Sequence, residues 1–177
     1  MLLNSLLPDS SRITADMAVE FIIEHPEMLR DFIDASLLQE YPLSMRASRV
    51  VHLYGQVNPA FIRPHLKEIL DALQSLHDQS VIRCFLHIFD AFIQDLPDAE
   101  LGQLLRLCFD YLEDLTAAIA VRVYSLKLLY LISRRLPEIK PEIIAIIHYH
   151  LPESTSAFKS QARQIIGKLQ KEIIPES

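Results

Sequence analysis

A chain of 177 residues, half of them hydrophobic and only three of them glycine, can bury a full core but lacks the turn residues of a hairpin-rich sheet protein. Its formal charge of −6 argues against a general nucleic-acid binder unless positive charge is gathered on one surface. Apolar runs fall short of the ~20 residues of a membrane span, and Met1–Pro8 lacks the basic start and small-residue cleavage site of an export signal. The expected setting is cytoplasmic, with Cys84 and Cys108 as two reduced core thiols.

Apolar residues recur at helical spacing along nearly the whole chain, and alternation of period two is hard to find. Met1–Ser11 reads as an irregular arm whose leucines lie on the first helices. Thr14 then caps a short helix running to Glu24, with Met17, Phe21 and Ile22 facing inward. Beyond it a period begins. Pro26, Pro59, Pro97 and Pro137 each follow a helical pattern at once and open the next, 33, 38 and 40 residues apart. Proline suits a first helical position, and it pushes the residue before it out of the α region, so one residue type stops one helix and starts another. Pro64 and Pro141 fall within the first turns of their helices and predict a kink or a 3₁₀ opening there.

A second marker runs between the prolines. Arg46, Arg83, Arg122 and Lys159 stand near the start of the other helix of each pair, 37, 39 and 37 residues apart. Each follows a turn with an acid, respectively Glu40, Asp78, Asp114 and Glu153, and with cap-type residues Ser44, Ser80, Thr116 and Ser154–Ser156. The most apolar stretch, 116–156, carries Ile119, Val123, Leu126, Leu129 and Tyr130 on one helix and Ile139, Ile143, Ile144, Ile146 and Ile147 on the next. Helices apolar on most of their circumference need neighbours on several sides. Two markers sharing one period predict stacked helical units.

A proline-led helix, an acidic turn, a helix opening with Val81-Ile82-Arg83 or Val121-Arg122 and then an apolar run together resemble the HEAT repeat. The resemblance covers Pro26 to about Ile174 and implies one all-α domain over 1–177. That domain would be an α-α superhelix (solenoid) of about four helix pairs, 26–57, 59–96, 97–136 and 137–174, closed at one end by the helix 14–24. It also implies a first, proline-led helix in each pair (26–38, 59–76, 97–114, 137–151) on an outer layer. The second helices (45–56, 80–96, 116–136, 155–173) would line a concave surface. The repeated cations would bridge to the turn acids, among them Asp78 and Asp114, as a structural ladder.

The sequence offers no chemistry to place on that scaffold. The histidines give no H-x-x-x-H pair, and there is no nucleophile elbow, phosphate loop or zinc spacing. Catalytic residues, metal and cofactor are all expected to be none. The informative feature is a charge partition: an acidic protein keeps a net positive charge on its second helices and a net negative one on its first. Setting the ladder aside, the expected binding residues on the concave face are Arg49, Tyr124, Lys127, Tyr130, Arg134, Arg135, Arg163 and Lys168. Lys127 and Arg134, seven apart, share one helix face. The function expected from this is a non-enzymatic scaffold for another protein or an acidic peptide. The alternative is a nucleic-acid binder similar to HEAT-like DNA-alkylation glycosylases but without their catalytic residues, since the chain has no Trp.

Overall fold

In a computed structural model, the structure describes residues 2–152 and 154–173, and among them there is helix and no strand. The chain gathers into two compact units, one ending at Ala91 and the other beginning at Phe92.

The first unit opens with α1 (Leu2–Leu6), where an irregular arm was expected, and Leu7 just after it is buried. In α2 (Arg12–Glu24) the cap is Ser11, not Thr14: its Oγ accepts from Thr14 N at 3.1 Å. Met17 points outward, because Ala15, Ala18, Val19 and Ile22 form the buried stripe of this helix. Pro26 opens a 3₁₀ turn (Pro26–Met28) that runs into α3 (Leu29–Leu37). The following turn holds Gln39 at φ 56°, a left-handed conformation costly for a side-chain-bearing residue. Its Oε1 accepts from His77 N at 2.9 Å, which ties this turn to the one before the last helix of the unit.

Next comes α4 (Leu43–Val57), anchored by the buried Ser44. Its Oγ donates to Ala35 O at 2.8 Å and accepts from Glu40 N at 2.9 Å. Pro59 is the first residue of α5 (Pro59–Ile62), and Pro64 sits in the 3₁₀ turn Arg63–His65 that leads to α6 (Leu66–Ala72). A Cβ at Gly55 would lie 3.0 Å from Ile62 Cγ1, so this glycine lets α5 fold back closely on α4. The last helix, α7 (Gln79–Ile88), is capped by Asp78, which accepts from Ser80 N and Val81 N. It tightens into a 3₁₀ turn at Phe89–Ala91 rather than continuing to residue 96. Within this unit α4 packs on α2, α3 and α7, around Phe32, Val50, Tyr54, Phe85 and Phe89.

In the second unit α8 (Asp98–Glu113) begins one residue later than expected. Pro97 is its extended N-cap, and Asp98 and Glu100 suit the positive end of the helix. Asp114 Oδ1 then accepts from Thr116 N and Thr116 Oγ1, so Thr116 is bound by the turn acid instead of capping the next helix. That helix, α9 (Ile119–Ile132), is capped by Ala118 and buries Val121, Leu126, Leu128, Leu129 and Ile132. Ile119, expected on the stripe, is 41% exposed because it stands on the first turn. Pro137 opens a 3₁₀ turn (Pro137–Ile139) into α10 (Lys140–His150), which carries Pro141 in its first turn, and α11 (Ser156–Ile173) follows. Within this unit α9 packs on α8, α10 and α11. Cys84 and Cys108 are buried and not joined in a disulfide, one in each unit.

Candidate binding surfaces on the second helices

Arg122 and Asp114 act on each other's charge, but among the described residues the repeated cations make no close ion pair with Glu40, Asp78 or Asp114. Their partners are mostly main-chain carbonyls just past the ends of preceding helices, where oxygen atoms lack partners within the helix. Arg46 Nη1 donates to Leu7 O at 2.9 Å and Pro8 O at 3.0 Å, beyond α1, and its Nε donates to Ser10 Oγ. Arg122 Nε donates to Leu112 O in the last turn of α8, at 3.1 Å. Lys159 Nζ donates to Pro152 O beyond α10, at 3.1 Å. Arg83 keeps an exposed side chain beside Cys84. Asp78 instead accepts main-chain N–H groups in the first turn of α7, and Asp114 accepts Thr116 N in the turn that precedes α9. Short turns explain this: an Asp side chain reaches the N–H two residues on more readily than it reaches a guanidinium a turn or more further along. Glu153 lies outside the described residues.

In the first unit this arrangement brings Arg46, Arg49 and Arg83 around one cavity. Arg46 and Arg49 are neighbours on α4, and Arg49 Nη1 donates to Ser10 O at 2.9 Å. The cavity measures about 80 Å³, and Leu7, Ala15 and Met45 make its apolar wall. Asp9 is the acid on its rim. Its carboxylate accepts from Ser11 N at 2.8 Å and Thr14 Oγ1 at 2.7 Å, and these bonds, with Arg46 nearby, hold its pKa at about 2. One turn further along α4, His52 stacks on His87 of α7 with ring centroids 4.2 Å apart. Burial, the neighbouring His87 and the guanidinium groups of Arg83, Arg12 and Arg49 hold His52 neutral, with a pKa of about 4. Its Nε2 is buried and without a hydrogen-bond partner among the described residues.

In the second unit the exposed edge of α9 and α11 carries tyrosines with cations over their rings. Tyr130 Oη donates to Glu172 Oε1 at 2.9 Å, and the other oxygen of Glu172 pairs with Lys140 Nζ at 2.8 Å. Lys168 Nζ lies 5.3 Å from the centroid of the Tyr130 ring, and Lys127 Nζ lies 5.8 Å from that of Tyr124. Arg134 stands close enough to Tyr130 and Glu172 to act on the charge of both. Lys127, Arg134 and Lys168 are exposed. Tyr124, Lys127, Tyr130, Arg134 and Lys168 therefore belong to one surface.

The other three expected binding residues do not join it. Arg135 is held by its own unit: Nη1 donates to Ile93 O at 2.8 Å and Leu96 O at 2.7 Å, and Nη2 pairs with Asp98 at 2.7 Å. Arg163 is nine residues from Glu172, two and a half turns, and so lies on the other flank of α11, one turn from Lys159. Arg49 belongs to the cavity of the first unit.

Sequence reasoning missed the cavity and the histidine pair. Each takes its residues from two second helices, and the cavity is closed by the arm, whose role no spacing announces. Among the described residues no three of His, Cys, Asp and Glu gather as metal ligands. No helix of the described residues is long and apolar enough to cross a membrane.

Paired helices joined by short turns, with a cation recurring near the start of each second helix, define an all-α helical-repeat protein. The HEAT repeat domain family matches residues 4–169, nearly the whole chain, and the protein belongs to that family. No curated protein and no solved structure matches it. Membership makes the chain a helical-repeat protein.

Proposed function

We propose that this scaffold binds an acidic segment of a partner protein on the α9–α11 face, without a catalytic step or a cofactor. The observation that carries the reading is the exposure of Lys127, Arg134 and Lys168 beside Tyr124 and Tyr130. Tyrosine and arginine are the residue types that anchor protein interfaces, since each pairs a large contact area with a directed polar group. Glu172 is occupied by Tyr130 and Lys140, so it orients the face more than it neutralises it. A cytoplasmic setting fits Cys84 and Cys108, which are not joined in a disulfide.

The test is fluorescence anisotropy with a labelled acidic peptide and, in parallel, duplex DNA, over a salt series. Arg134→Glu with Lys168→Glu should weaken the peptide complex at least tenfold. Arg106→Glu, an exposed cation on α8, should leave it within about twofold. A steep salt slope with tighter binding to DNA would instead make the face a nucleic-acid surface. Equal losses from both charge reversals would remove the α9–α11 face from the account.

A further inference from the structure

We infer that the cavity between α4, α7 and the chain segment 7–15 is a binding site for a carboxylate carried on a short apolar stem. This site is separate from the α9–α11 face and does not depend on how that face is used.

The inference starts from charge. Three arginines, Arg46, Arg49 and Arg83, line one cavity, and like charges gathered there favour an anion between them. The acid at the rim, Asp9, is already bound by Ser11 N and Thr14 Oγ1. Arg12 nearby is paired with Asp16 at 2.8 Å. Three guanidinium groups against the one Asp9 carboxylate leave the cavity with a net positive charge.

Donor capacity points the same way. A guanidinium has five N–H donors. Arg46 uses Nε and Nη1 on Ser10, Leu7 and Pro8, which anchors its plane and keeps Nη2 for another acceptor. Arg49 uses one donor on Ser10 O. Arg83 lines the cavity with an exposed side chain and spends a donor on Cys84, which leaves the rest of its fork for an acceptor. Rigid forks of this kind match the two oxygens of a carboxylate.

The wall then selects among anions. Leu7 and Ala15 are buried and, with Met45, present carbon to the cavity. A bare phosphate would leave that wall wet, whereas two or three methylene groups would cover it. A water needs about 10–15 Å³ of such space, so about 80 Å³ admits several heavy atoms and excludes a bulky ring system. An acidic side chain of a polypeptide and a free short-chain acid share this chemistry.

The full-length protein can be titrated calorimetrically with butyrate, its neutral isostere butyramide, N-acetyl-glutamate N-methylamide and inorganic phosphate. Butyrate should bind with a Kd on the order of 1 mM, reasonable for so few atoms, and butyramide at least tenfold more weakly. Arg83→Gln and Arg49→Gln should each weaken butyrate about tenfold, the worth of one charge-assisted hydrogen bond. Arg83 is exposed, so its variant should keep the melting temperature of the parent. Lys168→Glu should leave butyrate binding unchanged, which separates this site from the α9–α11 face. Tighter binding of the capped glutamate than of butyrate would identify the source as a polypeptide side chain, and the reverse would identify a free acid. Equal binding of butyrate and butyramide, tighter binding of phosphate than of either carboxylate, no saturable butyrate binding, or indifference to both arginine substitutions would overturn the inference.

Discussion

Arg83 and Arg122 hold the same place in two successive repeats, 39 residues apart, and do different work. Arg83, in the first unit, is exposed at the mouth of a cavity it shares with two other arginines. Arg122, in the second, is only 6% exposed; its Nε holds Leu112 O and its guanidinium lies 4.7 Å from the centroid of the Phe158 ring. Its Nη2 is buried without a hydrogen-bond partner among the described residues, and burial works against its charge. The repeat therefore dictates where a cation stands, and the neighbouring residues decide whether it is a buried structural tie or an exposed group. A bulky Phe158 covers the one, and nothing comparable covers the other.

The comparison can be broken most severely through the core of the second unit. Leu129 is fully buried on α9 between α8, α10 and α11. Leu129→Asp should cost several kcal/mol, enough to abolish cooperative melting of that unit; retention of the parental melting curve would mean the helix register is wrong. Next in size is the contrast itself. Arg122→Ala should destabilise by roughly 2 kcal/mol, by losing the Leu112 bond and the packing on Phe158. Arg122→Met keeps the stem without the buried charge and should recover most of that loss. Arg83→Ala should fall within about 0.5 kcal/mol of the parent. Chemical denaturation of the three variants measures this directly, and equal losses at the two positions would erase the distinction.

A comparable effect should appear with pH in the first unit. Burial and nearby positive groups lower the His52 pKa from 6.5 to about 4. Between those values the unfolded chain takes up a proton that the folded one refuses, so stability falls as pH drops from 6.5 through about 4. One pKa unit is worth about 1.4 kcal/mol, and partial solvent screening reduces the whole to roughly 2 kcal/mol. Denaturation midpoints at pH 7, 5.5 and 4 should show this slope in the parent and a shallower one in His52→Phe. An unchanged slope in the variant would assign the pH dependence elsewhere.

The repeat architecture was legible because its markers are local: Pro26, Pro59 and Pro137 act within one turn of where they stand, and Leu126, Leu129 and Ile132 bury as their spacing says. Positions at helix ends were less legible. Ser11 rather than Thr14 caps α2, and Ile119 is uncovered, because the first turn has neighbours on fewer sides. The faces were half legible. Tyr124, Lys127, Tyr130, Arg134 and Lys168 come together because three of the spacings are helical and α9 packs on α11. Arg135 had the same charge and nearly the same position as Arg134. A shift of one residue, about 100° around the helix, sends it to the carbonyls of residues 93 and 96 instead. Of the three arginines of the cavity, Arg46 and Arg83 read as structural markers and Arg49 as a binding residue of the concave face, since the side that joins them is the arm.

The most direct test of the central claim is residue-by-residue mapping of an acidic peptide on the full-length protein by amide NMR. Saturable shifts are expected on α9 and α11, chiefly at Lys127, Tyr130, Arg134 and Lys168, with α8 and α10 unmoved. Shifts confined to α8 or α10, or none at a peptide concentration that saturates the anisotropy signal, would contradict it.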